Sequence, residues 1–354
     1  MTEIIQAEGK KNFDFVDTIR CIAMMAIVWE HCVYNGTYIF NDFSIKHIVY
    51  IGLIQLSKFG TIAFFILAGF LLGNKFFTYS SWQYFKRRLS TVFVPWLIWS
   101  CIFIATILIQ QIILRKGEFD FVKFLLEKIE MTYLYTNYWF IINFLFCIGL
   151  LLIFRKYLYQ WWLGLVFFTF SLVYSLNIYY QWFPPVHTTA IFGFVFYLWL
   201  GALINNKWNW IEQKIKVTSY LPIILMFLLA YLISIFDIIK LIDKNSVDPY
   251  NTLRASNILY SFSTLILLFK IREFRLVKFI RPRETTFGVY LIHYILVTQL
   301  LPEVFRPFNL IKFPEMNLIS MFLYVVCRFV IVYLLTLLII NFINQTRFRW
   351  IIGG

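Results

Sequence analysis

Apolar residues along this chain come in long runs, each closed at both ends by charged or polar stretches. A helix crossing the hydrocarbon core of a bilayer needs about 20 such residues. Ten runs meet that description, near 13–34, 48–73, 91–114, 138–154, 160–179, 190–206, 218–238, 252–270, 285–302 and 317–344, the fourth and sixth being short for a span. The pattern predicts an all-α polytopic membrane protein of about ten transmembrane helices. An even number places both termini on one side.

Charge in the connecting segments orients that layout. One face collects Lys10 and Lys11, Lys75, the group Lys86 to Arg88, Arg155 and Lys156, Lys207, Lys214 and Lys216, the basic run from Lys270 to Arg283, and Arg347 and Arg349. The other face holds fewer cations, Lys46, Arg115, Lys116, Lys123, Lys128, Lys240, Lys244, Arg306 and Lys312, mixed with most of the acids. Cytoplasmic loops carry the excess of Lys and Arg. The first face, with both termini, is therefore expected to be cytoplasmic, in a multi-pass protein of the cell membrane, of the bacterial plasma-membrane type.

Composition agrees: 61% of the 354 residues are hydrophobic and only 14% charged, far from a soluble domain. A net charge of +14 would point a soluble protein towards nucleic acid; here it reports loop orientation, and no nucleic-acid partner is expected. The five cysteines have neither CxxC pairing nor metal spacing, so no disulfide and no metal are expected. No cleavable signal peptide is expected, because the first twelve residues are polar and a long span with internal charges follows. The chain divides into a cytoplasmic tail 1–12, a single transmembrane domain 13–344 and a cytoplasmic tail 345–354. Between spans, Arg115 to Asn137 spaces Phe121, Phe124, Leu125 and Lys128 as an amphipathic helix, lying on the outer leaflet or lidding a cavity. The loop Asn177 to Thr189, with Pro184, Pro185 and His187, is turn-like.

Candidate chemistry concentrates in Asp14 to His31, DFVDTIRCIAMMAIVWEH. Arg20 and His31 lie eleven positions apart, so on a helix they point the same way, separated by roughly 16 Å of rise. An arginine within a span marks a bundle interior or a wet cavity. Asp17, one turn earlier, is its natural partner. Glu30 is offset from His31 by about 100° and is expected at a wet helix end, without a carboxylate–histidine dyad. Other ionisable residues in the spans are Lys58, Arg254, His293 and Arg328. His31 suits general-base work, since an imidazole titrates near neutrality. His47 and His187 fall in loops, where a solvated histidine is the default. Lys86, Arg87 and Arg88 at the mouth of the third span suit either anionic lipid heads or the phosphates of a cofactor.

With these residues collected, the chain resembles the membrane acyltransferase 3 family, integral membrane proteins that O-acylate cell-surface sugars. Asp17, Arg20 and His31 fit the family's Asp-x-x-Arg followed by ten residues and His. FFILAGFLLG, Phe64 to Gly73, is similar to its second-helix motif, with Ala68 where serine is usual. KRRLSTVFVPW resembles its R-x-x-R-hydrophobic-Pro pattern, although Thr91 stands where the second arginine falls. TFGVYLIHY, Thr286 to Tyr294, and YWFIINFLF, Tyr138 to Phe146, complete the series in family order.

The resemblance implies an O-acyltransferase, most simply an O-acetyltransferase, moving an acyl group from cytoplasmic acetyl-CoA or another acyl-CoA to a hydroxyl of a cell-surface glycan or lipid-linked sugar. It implies His31, Arg20 and Asp17 as catalytic residues and Lys86, Arg87 and Arg88 as donor-binding, with Lys86 or Arg87 standing in for the missing arginine. Glu30, His293, Tyr290, Arg254 and Trp139 are secondary candidates. Partners would be acyl-CoA, the sugar acceptor and membrane lipid, with a homo-oligomer left open. No extra extracytoplasmic hydrolase-like domain is expected. The competing expectation is a transporter or flippase of a glycan or lipid-linked intermediate, since buried charges also suit a transport path.

Overall fold

The computed structural model describes residues 13–33, 44–73, 80–114, 120–186, 190–275, 277–306 and 313–354, and every regular element among them is helical. The tail 1–12, Lys75, Arg115, Lys116, His187 and Lys312 lie outside the described residues. In chain order the helices are α1 (Asp14–Val33), α2 (Ile45–Gln55), α3 (Gly60–Leu72), α4 (Ser81–Arg88), α5 (Val94–Leu114), α6 (Phe121–Tyr135), α7 (Trp139–Ile153) and α8 (Trp161–Tyr180). They continue as α9 (Val195–Asn206), α10 (Trp208–Val217), α11 (Tyr220–Asp243), α12 (Ala255–Ile271), α13 (Val277–Ile280), α14 (Pro282–Ile295), α15 (Leu301–Phe305) and α16 (Leu318–Asn344). Each of the ten expected runs falls on helix.

Six of these stretches are long and apolar enough to cross a bilayer, and a seventh is obtained if α6 and α7, bent by 58°, form one span. The other expected spans differ for identifiable reasons. Helix α1 carries Asp14, Asp17, Arg20 and Glu30, while α9 and α12 are only 12 and 17 residues long. The protein is thus a polytopic membrane protein in which charged and short helices are sheltered by longer ones. The lipid-side helices show it: the apolar window of α11 is 22% buried, against 72% for the span α2–α3.

At the centre, α3 and α9 touch backbone to backbone. A Cβ on Gly69 would stand 1.9 Å from the Leu198 carbonyl oxygen, and one on Gly201 would stand 2.0 Å from that of Ile66. Small residues permit such approach where lipid supplies no hydrophobic drive between helices. At the basic end Phe15 packs among Phe70, Trp208 and Phe269, edge-on to the two phenylalanines and tilted against the indole, with ring centroids 4.4–5.3 Å apart. That aromatic cluster anchors the start of α1 to α3, α10 and α12.

Two π-helical turns, Leu89–Phe93 and Leu296–Leu300, each end two residues before a proline, Pro95 and Pro302. A proline has no N–H for the carbonyl four residues back and its ring crowds that carbonyl. The widened turn relieves the crowding and lets α4 continue into α5, and α14 into α15. Residues 345–354 fold back onto the bundle: the Trp99 indole N–H donates to the Ile351 carbonyl at 2.9 Å, and Ile352 is buried.

Candidate functional site

Arg20, Met24, Ile27 and His31 follow one another on α1 at spacings of four, three and four residues, which keeps them on one face. Arg20 and Met24 line a cavity of about 330 Å³ towards the basic end. His31 lines a second cavity, of about 420 Å³, towards the opposite end. Ile27, Phe140 and Tyr290 line both. The stripe thus borders two cavities that have three lining side chains in common.

The first cavity is a cluster of guanidinium groups. Arg20 Nη1 donates to Asp17 Oδ1 at 3.0 Å, and Arg283 Nε donates to both Asp17 oxygens at 2.9 and 3.1 Å. Arg88, whose Nε donates to the Tyr84 hydroxyl at 2.7 Å, completes the group. Arg20, Arg88, Arg283, Thr91 and Thr286 all line the cavity. Lys86 and Arg87 sit on α4 with Arg88, but their side chains are exposed and line neither cavity. A helix turns by about 100° per residue, so only the last of three consecutive cations faces inward. Of the expected donor-binding group Lys86, Arg87 and Arg88, the structure places Arg88 alone on this cavity, and a further guanidinium on its lining comes from Arg283.

The second cavity is built around charge and aromatic rings. Lys58 Nζ donates to Glu30 Oε1 at 2.7 Å, and both residues line the cavity beside His31. Glu30 is thus not a wet helix end. It is paired with a lysine only 5% exposed, and the cavity is broad enough to receive adjacent residues of α1. Thr61, Asn137, Asp248 and Thr252 add polar groups; Trp139, Tyr250 and Tyr294 add rings. The end of the amphipathic helix α6 contributes Leu134 and Tyr135 to the lining.

His293 stands behind His31, with ring centroids 5.4 Å apart. Its Nδ1 lies 2.7 Å from the Val289 carbonyl oxygen, an acceptor only, so Nδ1 carries a proton. Its Nε2 is buried with no hydrogen-bond partner among the described residues. Tyr290 is fixed reciprocally: its hydroxyl donates to the Asn137 carbonyl at 2.7 Å, and Asn137 Nδ2 donates to the Tyr290 carbonyl at 3.2 Å.

Arg254, a secondary candidate, lines neither cavity. It is fully buried and gives its donors to Gln55, Ser234, Asn251, Ser256 and Asp237. Gln55 in turn donates to Asn257, and Asn257 donates to the Lys58 carbonyl. These bonds hold the unwound residues 56–59 between α2 and α3, as irregular backbone at membrane depth requires. Arg254 thereby positions Lys58 at a distance. Arg328 caps backbone, donating to the carbonyls of Cys32 and Val297. His47, expected in solvent, is buried in α2. Among the described residues no three His, Cys, Asp or Glu side chains gather to hold a metal ion.

Sequence reasoning missed Lys58 and Arg283 as site residues. A lysine inside a hydrocarbon-length run was signal enough for the first; the second was hidden in a basic loop.

A family model described as an acyltransferase domain, that of acyltransferase 3, matches residues 13–341. The chain belongs to the acyltransferase 3 family. No curated protein and no solved structure matches it. The match covers every residue that lines the two cavities except Gly353.

Proposed function

We propose that the protein transfers an acyl group, in the first instance acetyl, from cytoplasmic acyl-CoA to a hydroxyl of a cell-surface glycan or lipid-linked sugar. The observation that carries this is the pair of cavities on one face of α1. One gathers three guanidinium groups, the fork that fits phosphate oxygens. The other gathers an imidazole, an ion pair and aromatic rings, which suit a polyhydroxylated acceptor. Ile27, Phe140 and Tyr290 line both cavities, so a thioester held by its phosphates in the first would have to pass these side chains to meet an acceptor in the second.

In this reading His31 takes the proton of the acceptor hydroxyl as the oxygen attacks the thioester carbonyl carbon. The carbon–sulfur bond breaks, and the imidazolium returns the proton to the departing thiolate, leaving an ester and free CoA. Arg20, held by Asp17, and Arg88, held by Tyr84, bind the donor. His293 packs behind the His31 ring and limits its rotation. Trp139 and the Glu30–Lys58 pair shape the acceptor side.

The test uses membranes containing the full-length protein, given acetyl-CoA labelled in the acetyl group. Label is expected in the glycan or lipid-linked sugar fraction with stoichiometric release of CoA, and His31→Ala should abolish both while insertion and thermal stability hold. Full transfer by His31→Ala would overturn the mechanism. Glycan translocation without any dependence on acetyl-CoA would favour a transporter.

A further inference from the structure

Thr91 occupies the position three residues beyond Arg88 that would complete a pair of cations on one turn of helix. Its hydroxyl donates to the Arg87 carbonyl at 2.9 Å and its side chain is at the edge of the arginine cavity. Directly on that cavity stands Arg283, from the first turn of α14, which is remote in sequence. Asp17 binds Arg283 and Arg20 through one carboxylate, which fixes two forks side by side. Arg20, Arg88 and Arg283 are the charged side chains among the described residues that line the cavity, and all three are cations. The Arg283 side chain lines the cavity and is 57% exposed. It therefore reaches water at the cavity mouth, where an anionic ligand would enter.

We infer that Arg283 is a donor-binding residue: it grips a phosphate ester of the acyl donor in the place where Thr91 leaves the helix α4–α5 without a cation. This rests on the acyl-transfer reading above and specifies which side chains meet the phosphates. Lys86 and Arg87, facing away, have no part in it. The same phosphate chemistry is offered by lipid headgroups, so the experiment must separate the two sources.

Full-length protein in discs of purely zwitterionic lipid is assayed for turnover of acetyl-CoA. Arg283→Gln is expected to raise KM for acetyl-CoA about tenfold, the equivalent of about 1.4 kcal/mol, with kcat within about twofold. Adding Thr91→Arg to that variant is expected to recover most of the loss, which a merely structural role for Arg283 would not allow. The double variant Lys86→Gln, Arg87→Gln should leave KM unchanged. Should Arg283→Gln fail to fold, Thr91→Arg alone is expected to lower KM in the otherwise unaltered protein, and an unchanged KM there overturns the inference. An unchanged KM in folded Arg283→Gln overturns it, as does an effect seen only in discs containing anionic lipid. Those outcomes leave acyl transfer standing, whereas a wild-type protein inert towards acetyl-CoA overturns both.

Discussion

Arg20 and Arg254 are both guanidinium groups inside a membrane bundle, and they are treated in opposite ways. Arg254 is fully buried and surrounded by acceptors from α2, α11 and the segment before α12: Gln55 at 2.6 Å, the Ser234 and Asn251 carbonyls at 3.2 Å, and Asp237 at 3.4 Å. Arg20 has one charged partner, Asp17, and borders a cavity. A buried ion needs every donor satisfied because the interior gives nothing back for an orphan; an ion beside water need not be. The difference separates a charge that holds the chain from a charge left beside a cavity, where we propose that the donor binds. A span-embedded arginine is thus a marker of function only after its neighbours are known.

The sharpest way to break this comparison is to remove each arginine and measure stability and activity apart. Arg254→Ala leaves Gln55 Oε1 and the Ser234 and Asn251 carbonyls without this donor and Asp237 with only the Tyr179 and Ser256 hydroxyls, and loss of one partner of a buried pair costs about 3–5 kcal/mol. Thermal unfolding in detergent should show a large drop in midpoint, with activity lost in proportion to folded protein. Arg254→Lys should recover little, because an ammonium cannot reproduce the planar fork. If Arg254→Ala kept its unfolding midpoint, the polar knot would not be the support of the 56–59 break.

Arg20→Ala should do the reverse. Asp17 keeps Arg283 at 2.9 Å, so no carboxylate is stranded and the midpoint should stay near that of the wild type. Acetyl-CoA turnover is expected to fall about 100-fold, a loss of about 2.7 kcal/mol in the interactions made with donor and transition state. Retained activity with lost stability would erase the distinction between the two arginines.

How much of this was legible in the sequence follows from how local each signal is. Hydropathy is averaged over one segment, so all ten runs fall on helix. The Arg20 to His31 stripe is a property of a single helix and could be placed from its spacing alone. The partners of that stripe could not: Arg283 reaches Asp17 across 266 positions, and His293 meets His31 through the docking of α14 on α1. Glu30 was misjudged for the same reason, since Lys58 arrives from the break between α2 and α3. The break itself left a trace, Gln55, Ser57 and Lys58 within an apolar run. What those polar groups satisfy depends on Asn257 and Tyr260, whose hydroxyl donates to the Leu56 carbonyl at 2.9 Å. Lys86, Arg87 and Arg88 are alike in composition and differ only in rotation about α4.

A third charge cluster gives the comparison its lower bound. On α10, outside the spans, Glu212 accepts from Lys216 at 3.0 Å and from Arg272 at 2.5 Å, all three side chains being in contact with water. Hydrogen bonds from Lys216 first, and then from Arg272, hold the Glu212 carboxyl below its ordinary pKa. A depressed carboxyl pKa stabilises the fold above the ordinary carboxylate range and loses that contribution as pH falls through the folded value. Solvent screening keeps such pairs small, so Glu212→Gln is expected to cost only about 0.5 kcal/mol at neutral pH and nothing in acid, without effect on acetyl-CoA turnover. Unfolding midpoints of wild type and Glu212→Gln, measured from neutral pH downward, should converge as the wild-type carboxylate protonates. Parallel curves would mean that Glu212 acts through packing on Trp208 and Phe269 and not through its charge. The sequence Arg254, Arg20, Glu212 would then no longer rank charge by its separation from water.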